Sequence, residues 1–484
     1  MSCVFLGVDI GTTSAKCLAV TDQGEMVAFA QSHYSLSHPY QGWAEQDARE
    51  FYNALVDVVR QCVAECCEKG FDASHITALS LSSQGDTLIV TDSEGTPIHP
   101  AMSWMDRRAE QEYHELIAET GKSFWYSETG QPINPLSSAC KIRWVQKHYS
   151  YKANRMRFCW VADFLAKQLC GEFVSDIPSA SWTPLYSPVK RNWSAAVIQL
   201  LKVPGEMLPV TAESGTVIGD LLPDVASQLG LGPNTKLVAG AFDQASAALG
   251  AGADVDSRRG VLSGGTAWVL YIVSSTPPVD RLEQLCVCCH AQPLQWGLVL
   301  PFPGGGIYDW LNRNLGDESH EALGKAEPLI FIPHLYGGLS PDWQVESKGS
   351  LLGLTVAHSR GDFRLAVMRG IAFEARRNIE AAERLGISVD SIRMVGGAVK
   401  SEIWPQMIAD ILNRPVEVSN FNEAACLGVA KLAARQTGVE WQNCSEMREY
   451  DPLLNNVPRE EALYQKYLEA YESLLQIYRN SMHE

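Results

Sequence analysis

One pattern recurs half a chain apart and narrows the folds open to this sequence: an apolar strand, a turn of glycine and threonine, and a returning strand. The first copy is Val4 to Ile10, Gly11-Thr12-Thr13 and Ala15 to Val20. The second is Gly260 to Ser263, Gly264-Gly265-Thr266 and Trp268 to Val273. Apolar runs on both sides of a short glycine-bearing turn predict a hairpin. A hairpin that returns at this separation, rather than every roughly 20–50 residues, points to two domains of similar topology and not to a solenoid. At 484 residues the chain is also too long for one ordinary core. The boundary falls near residue 250, giving domains over 1-250 and 251-484.

Other segments fill in the two halves. Asp22-Gln23-Gly24 makes a second turn and Met26 to Ala30 a third strand, so the opening reads as an antiparallel meander. Asp47 with Glu50 resembles a capping box for a helix to about Lys69, where Gly70 ends it. Strands over Ile76 to Ser82 and Thr87 to Thr91 flank Ser83-Gln84-Gly85-Asp86. The stretch Ala109 to Pro209 is richer in helix and aromatic residues and suits one wall of a cleft. Leu237 to Phe242 is a strand ending at Asp243, and the small residues Ala245 to Ala251 suit a tightly packed helix. In the second half an amphipathic helix runs from Asp362 to Leu385, with Arg364, Arg369 and Arg376 on its charged face and Gly386 closing it. Ile392 to Val395 then runs into Gly396-Gly397, and a helix covers Ser401 to Leu412.

The formal charge of -17 disfavours nucleic acid or an anionic membrane as partner, since both would be repelled. A phosphate ligand must then be held locally, by backbone N–H groups and helix N-termini. Met1 to Ile10 lacks a basic segment and contains Asp9, so it does not read as a signal peptide, and no apolar run reaches membrane-spanning length. The 13 cysteines form no repeating framework, which suits reduced thiols and a cytoplasmic protein. Cys62, Cys66 and Cys67, and Cys286, Cys288, Cys289 with His290, invite a zinc reading. Buried thiols explain them better, because Cys62 and Cys66 continue the apolar face of Phe51, Leu55 and Val59, and neither cluster has paired CxxC spacing.

The first hairpin, Asp9-Ile10-Gly11-Thr12-Thr13-Ser14-Ala15-Lys16, could aim N–H and hydroxyl groups at phosphate oxygens, with Asp9 facing Mg²⁺. Read alone it is equally a tight turn beside a solvated Asp. Gly264-Gly265-Thr266 offers the same chemistry, and Gly396-Gly397 between a strand and a helix would let a nucleotide approach the backbone. There is no GxxxxGK[ST] and no GxGxxG after a strand, which disfavours Walker and Rossmann sites. Asp243, closing an apolar strand, is the candidate to orient a hydroxyl and take its proton, although an Asp there also suits a helix cap. Gln84, Asp86, Trp104, Asp106, Arg107 and Gln244 lie near the strand ends and could satisfy a polyhydroxylated ligand, an indole packing its carbon face.

The ordered set VDIGTTSAK (8 to 16), SSQGDT (82 to 87), SWMDRR (103 to 108), GAFDQASAALGAG (240 to 252), LSGGTAW (262 to 268) and MVGGAVKSEIWPQMIADILNRPV (394 to 416) resembles the FGGY family of carbohydrate kinases. The resemblance covers nearly the whole chain. It implies an α/β, two-domain actin-like ATPase (ribonuclease H-like) fold with a cleft between the domains, and ATP- and Mg²⁺-dependent phosphorylation of a small sugar or polyol. By it, Gly11, Thr12, Thr13, Lys16, Gly265 and Thr266 belong to the phosphate site, Asp9 binds the metal through water, and Asp243 is the base. The Gly396 to Gln406 block, with Gly397 and Ser401, holds adenosine, and Gln84, Asp86, Trp104, Asp106, Arg107 and Gln244 line the acceptor pocket. Two positions depart from the family pattern. Gly338-Leu339 stands ahead of Pro341 where many members carry an acidic-basic pair, and Thr266-Ala267-Trp268 replaces the Thr-Ser-Gly common in xylulose kinases. The small Gly85 suggests room for a ketopentose such as xylulose, with glycerol or another polyol second. A non-transferring actin-like nucleotide-binding protein is the rival class, and the oligomeric state is left open, a homodimer included.

Overall fold

The computed structural model describes residues 3–149, 156–265, 267–279, 285–316, 326–419, 423–440 and 447–480. They form two compact units. One comprises Met1–Asp254, Ser274–Gly297 and Glu423–Cys444, the other Val255–Val273, Leu298–Asn422 and Ser445–Glu484.

The first unit is built on a sheet ordered Val217–Asp220, Lys236–Phe242, Ile76–Ser83, Val4–Ile10, Ser14–Thr21, Met26–His33. The last three strands are the expected antiparallel meander. Val4–Ile10 runs parallel to Ile76–Ser83, which runs parallel to Lys236–Phe242. Val4–Ile10 is apolar almost throughout because both its faces are covered, as parallel strands require. On one face lies the helix Ala48–Glu68, which buries Phe51, Leu55, Val59, Cys62 and Cys66 and leaves Cys67 exposed. Asp47 caps it, accepting from the Arg49 N–H at 3.0 Å, and Gly70 leaves it at φ +88.

The other face is covered by Ala424–Arg435, which reaches the sheet and the helix Asp243–Gly250 through glycines. A Cβ on Gly7 would lie 1.9 Å from the Cys426 carbonyl oxygen. One on Gly250 would lie 1.9 Å from that of Ala424, and one on Gly428 the same distance from that of Ser246. Backbone therefore rests on backbone, and the tightly packed helix expected after Asp243 is what the structure shows. The aromatic stretch after Ala109 makes a core of its own, with Trp125, Trp144, Phe158 and Trp160 packed around Leu88 and Met102.

The second unit repeats the plan. Arg259–Gly264 is antiparallel to Ala267–Ser274 and parallel to Ser391–Gly396, which is parallel to Val416–Ser419, and Met447–Tyr450 closes the edge antiparallel. The helix Arg360–Arg384 starts from a capping box of Ser359 with Asp362 and gives way to Gly386 at φ +79. Arg369, expected on its charged face, is instead buried against Glu460, because the helix Val457–Asn480 covers that side. The expected helix from Ser401 begins at Ile403. Gly397–Lys400 forms a 3₁₀ turn, and the Ser401 hydroxyl accepts from the Ile403 and Trp404 N–H groups as a cap.

Candidate functional site

In the first unit three adjacent parallel strands stop at one level: Ser83 pairs with Ile10 on one side and with Phe242 on the other. Their ends deliver Asp9, Gln84 and Asp243, and the carboxyl ends of parallel strands are where α/β sheets bind ligands. Asp9 accepts from the Ser82 hydroxyl at 2.7 Å, and burial raises its pKa although Ser82 and Lys16 oppose the shift. Asp243, at the first turn of its helix, is pushed up to about 7, by burial first and by the charge of Asp9 second. Its Oδ1 accepts from the Gln244 N–H at 2.7 Å.

The turn Gly11-Thr12-Thr13 is closed by the Gly11 N–H donating to the Ser14 carbonyl at 3.0 Å, and Tyr34 donates its hydroxyl proton to the Gly11 carbonyl. Thr13 is exposed and Thr12 half-buried. Lys16 sits opposite Asp9 across the hairpin, with its Nζ 2.7 Å from Glu423 Oε2.

The acceptor candidates divide. Trp104, 40% exposed, donates its indole N–H to Thr12 Oγ1 at 3.0 Å, joining a predicted sugar residue to the predicted phosphate turn. Gln84 is buried, its N–H donating to the Ile10 carbonyl at 2.8 Å and its Nε2 to Gln46 Oε1 at 3.1 Å. Asp86 holds φ +54 and accepts from the Ser138 N–H and hydroxyl, while the buried Lys141 donates to its carbonyl at 3.2 Å. Burial raises the Asp86 pKa although Lys141 works against it. Asp106 is fully buried and both its oxygens are taken, by Arg108 at 2.7 and 2.8 Å and by the N–H groups of Ala44 and Arg108. The Arg108 guanidinium lies 3.7 Å over the Trp43 ring. Arg107 is exposed beside Glu110 at 3.8 Å, and Gln244 is half-buried next to Asp243.

In the second unit Gly264 and Gly396 pair in register at the ends of parallel strands, so the two predicted nucleotide turns leave side by side. A Cβ on Gly264 would lie 2.4 Å from the Ala398 Cβ, and Gly396 holds φ +84 with the Gly264 carbonyl against it. Gly265 and Gly397 are exposed, and Thr266 lies outside the described residues. Trp268 is buried against the spot a Gly304 side chain would need and 4.7 Å from the Trp404 ring, while the position without a hydroxyl is its neighbour Ala267. Gln406 is engaged away from the turns, donating to Asp410 Oδ1 and to the Asp451 carbonyl, both at 2.9 Å.

Sequence reasoning overlooked Ser82, Gln46, Glu423 and Trp182. Ser82 had a signal, a polar residue inside an apolar strand, and Gln46 stands just ahead of the Asp47 cap. Glu423 had none. Trp182 corrects the expectation of room at Gly85. Its indole lies where a Gly85 side chain would go, 2.2 Å from an ideal Cβ, and stacks on Phe242 with ring centroids 5.2 Å apart.

Comparison with known proteins adds to this geometry. Residues 4–250 match the FGGY family of carbohydrate kinases, N-terminal domain, and residues 304–437 match the C-terminal domain of the same family. The chain is 29% identical over 444 residues to a xylulose kinase of Escherichia coli strain K12, covering 89% of each. It is 27% identical over 462 residues to a gluconokinase of Bacillus subtilis strain 168, covering 90% of this chain and 88% of the other. A crystal structure described as a xyloylose kinase from Brucella ovis superposes with a TM-score of 0.91 at 25% identity, covering 98% of this chain and all of that one. The fold is thus the α/β, actin-like ATPase fold that the resemblance implied.

Proposed function

Because this chain belongs to the FGGY family of carbohydrate kinases and is therefore a phosphotransferase acting on a sugar, we propose that it moves the γ-phosphoryl of ATP to a hydroxyl of a ketopentose such as xylulose, with Asp243 as general base. The observation that carries this reading is Asp243 itself. It follows a parallel strand one removed from that of Asp9, whose charge it feels, and has a pKa pushed up to about 7, near the value at which a base is both deprotonated and able to hold a proton.

The residues present fit ATP and Mg²⁺. Among the described residues no cluster of three His, Cys, Asp or Glu could cage a metal. A single carboxylate such as Asp9 suits Mg²⁺, which keeps most of its waters and leans on phosphate oxygens. The bound ion would neutralise charge on the phosphates. In the first unit Thr12 and Thr13 would donate hydroxyl protons to phosphate oxygens, and within the second unit the bare backbone at Gly265, Gly396 and Gly397 would let an adenosine approach closely. Trp104 would pack the carbon side of the sugar while Asp243 accepts the proton of the attacking hydroxyl.

A smaller polyol such as glycerol is the second reading, and one observation favours it: the Trp182 indole fills the space over Gly85. A panel of ketoses, polyols and aldonates in an ADP-release assay decides between them. Xylulose is expected to give the highest kcat/KM, and a polyol or aldonate ahead of it overturns the ketopentose. Asp243→Asn should lower kcat by at least about 10²-fold while nucleotide still binds. Turnover that survives in that variant removes Asp243 from its role.

A further inference from the structure

Thr12 is gripped twice, by the predicted acceptor residue Trp104 and by Gln46, which is itself bonded to the predicted acceptor residue Gln84, and both grips have a fixed sense. A main-chain carbonyl can only accept, so the contact of Gln46 with the Thr12 carbonyl at 2.8 Å comes from Nε2. Gln46 Oε1 is then the acceptor for Gln84 Nε2 at 3.1 Å. Gln84 is 2% exposed, and its one remaining polar side-chain atom, Oε1, has no hydrogen-bond partner. The orientation of an amide is set by the network it joins, and here the turn's own carbonyl sets it for both glutamines. The row therefore ends in a buried acceptor that stays unsatisfied until a donor arrives.

The second grip is the Trp104 indole, a donor only, which reaches Thr12 Oγ1 at 3.0 Å. The Thr12 hydroxyl must accept there, which leaves its own proton for another oxygen.

We propose that Gln46 is a positioning residue: it holds Gln84 Oε1 as the acceptor for one hydroxyl of the sugar and so ties occupation of the sugar site to the Thr12 turn. The inference rests on the carbohydrate-kinase reading and deepens it. The group recognised at Gln84 is a free hydroxyl, since a carbonyl or ether oxygen there would set acceptor against acceptor. A hydroxyl donating to Gln84 polarises the row through Gln46 to Thr12, which stiffens the turn that meets the phosphate. Sugar and nucleotide then tighten each other's binding by the same factor.

Calorimetric titration of a non-hydrolysable ATP analogue with Mg²⁺ into the full chain reads that factor. It is run with and without a saturating amount of D-xylulose, or of whichever panel sugar is phosphorylated. In the unaltered protein the sugar should tighten the nucleotide at least about fivefold. Gln46→Leu should bring the ratio to within about twofold of unity, with sugar-free nucleotide affinity within about threefold of the unaltered protein. Gln46→Glu keeps the size of the side chain and, ionised at the alkaline end of the assay range, can accept from Gln84 but cannot donate to Thr12. It should lose the coupling too, and it decides the matter where the leucine variant fails to fold. A second arm needs no variant: one analogue lacking a single non-reacting hydroxyl should lose at least about 100-fold in kcat/KM. A ratio near one in the unaltered protein, coupling that survives in a folded variant, or tolerance of every deoxygenated analogue overturns the link. Phosphorylation with unchanged coupling sinks the link alone, whereas a panel with no phosphorylated sugar sinks the acceptor reading and the link together.

Discussion

Asp243 carries two opposed demands. As the proposed base it would have to be ionised, so kcat/KM should climb about tenfold per pH unit up to roughly 7 and level off above, in a rate profile taken from pH 5.5 to 8.5. As a part of the fold it prefers its proton, because burial and Asp9 raise its pKa from 3.8 to about 7. The stability it lends is complete below its unfolded pKa and disappears as pH rises through about 7. Asp243→Asn should therefore unfold at higher urea than the unaltered protein at pH 8, by on the order of 1–3 kcal/mol, with the gap closing toward pH 4. Asp106 serves the fold alone. Its oxygens are committed to Arg108 and to two main-chain N–H groups with no exposure to solvent. Asp106→Ala should cost about 3–5 kcal/mol in a denaturation experiment, since it takes from a buried guanidinium one of its two carboxylate partners, leaving Glu45 at 2.7 Å, and leaves the Ala44 N–H without its acceptor.

Between elements, the helix Ala424–Arg435 holds the middle and end of Asp243–Gly250, at Ser246 and Gly250, by contacts that admit no side chain. Gly250→Ala and Gly428→Ala should each destabilise by about 2–4 kcal/mol and lower kcat, as the helix carrying Asp243 is pushed from the sheet. Gly205→Ala is the control, because a Cβ there meets nothing within 4 Å. The strands, their turns and the long helices were legible in the sequence because local apolar periodicity and glycine placement suffice for them. Asp9, Thr12 and Asp243 were legible as strand-end residues for the same reason. The pairing of Lys16 with Glu423 was not, as 407 residues separate them and no local pattern announces the contact. Trp182 over Gly85 was equally hidden, since a side chain filling space from another segment leaves no trace in the segment it fills. The 3₁₀ turn at Gly397–Lys400 escaped because Ser401 reads as well inside a helix as at its cap.

Across the whole molecule the fully buried carboxyl groups with large shifts divide between the two units, raised in the first and lowered in the second. The first contains Asp163 and Asp176, which burial pushes up to about 8 and about 6, besides Asp243. These groups favour folding when protonated, so the unit weakens as pH rises through that range. The second contains the fully buried Glu374, where burial opposes the charge but Arg377, His334 and Tyr467 outweigh it and hold the carboxyl at about 2. Its contribution is present above the ordinary 4.5 and lost as pH falls toward 2. Scanning calorimetry from pH 3 to 9 should resolve two transitions, the first unit's falling at the alkaline end and the second unit's at the acid end. Transitions that move together would contradict this assignment. The route of the chain has a further effect, on biosynthesis. Because Ala424–Arg435 completes the unit that holds the strands Val4–Ile10 and Lys236–Phe242, a ribosome must make the chain as far as residue 435 before that unit can close. Until then the sheet at Gly7 and the helix at Gly250 present bare backbone, the kind of surface that chaperones cover and that a separately added peptide spanning residues 423–440 could seal.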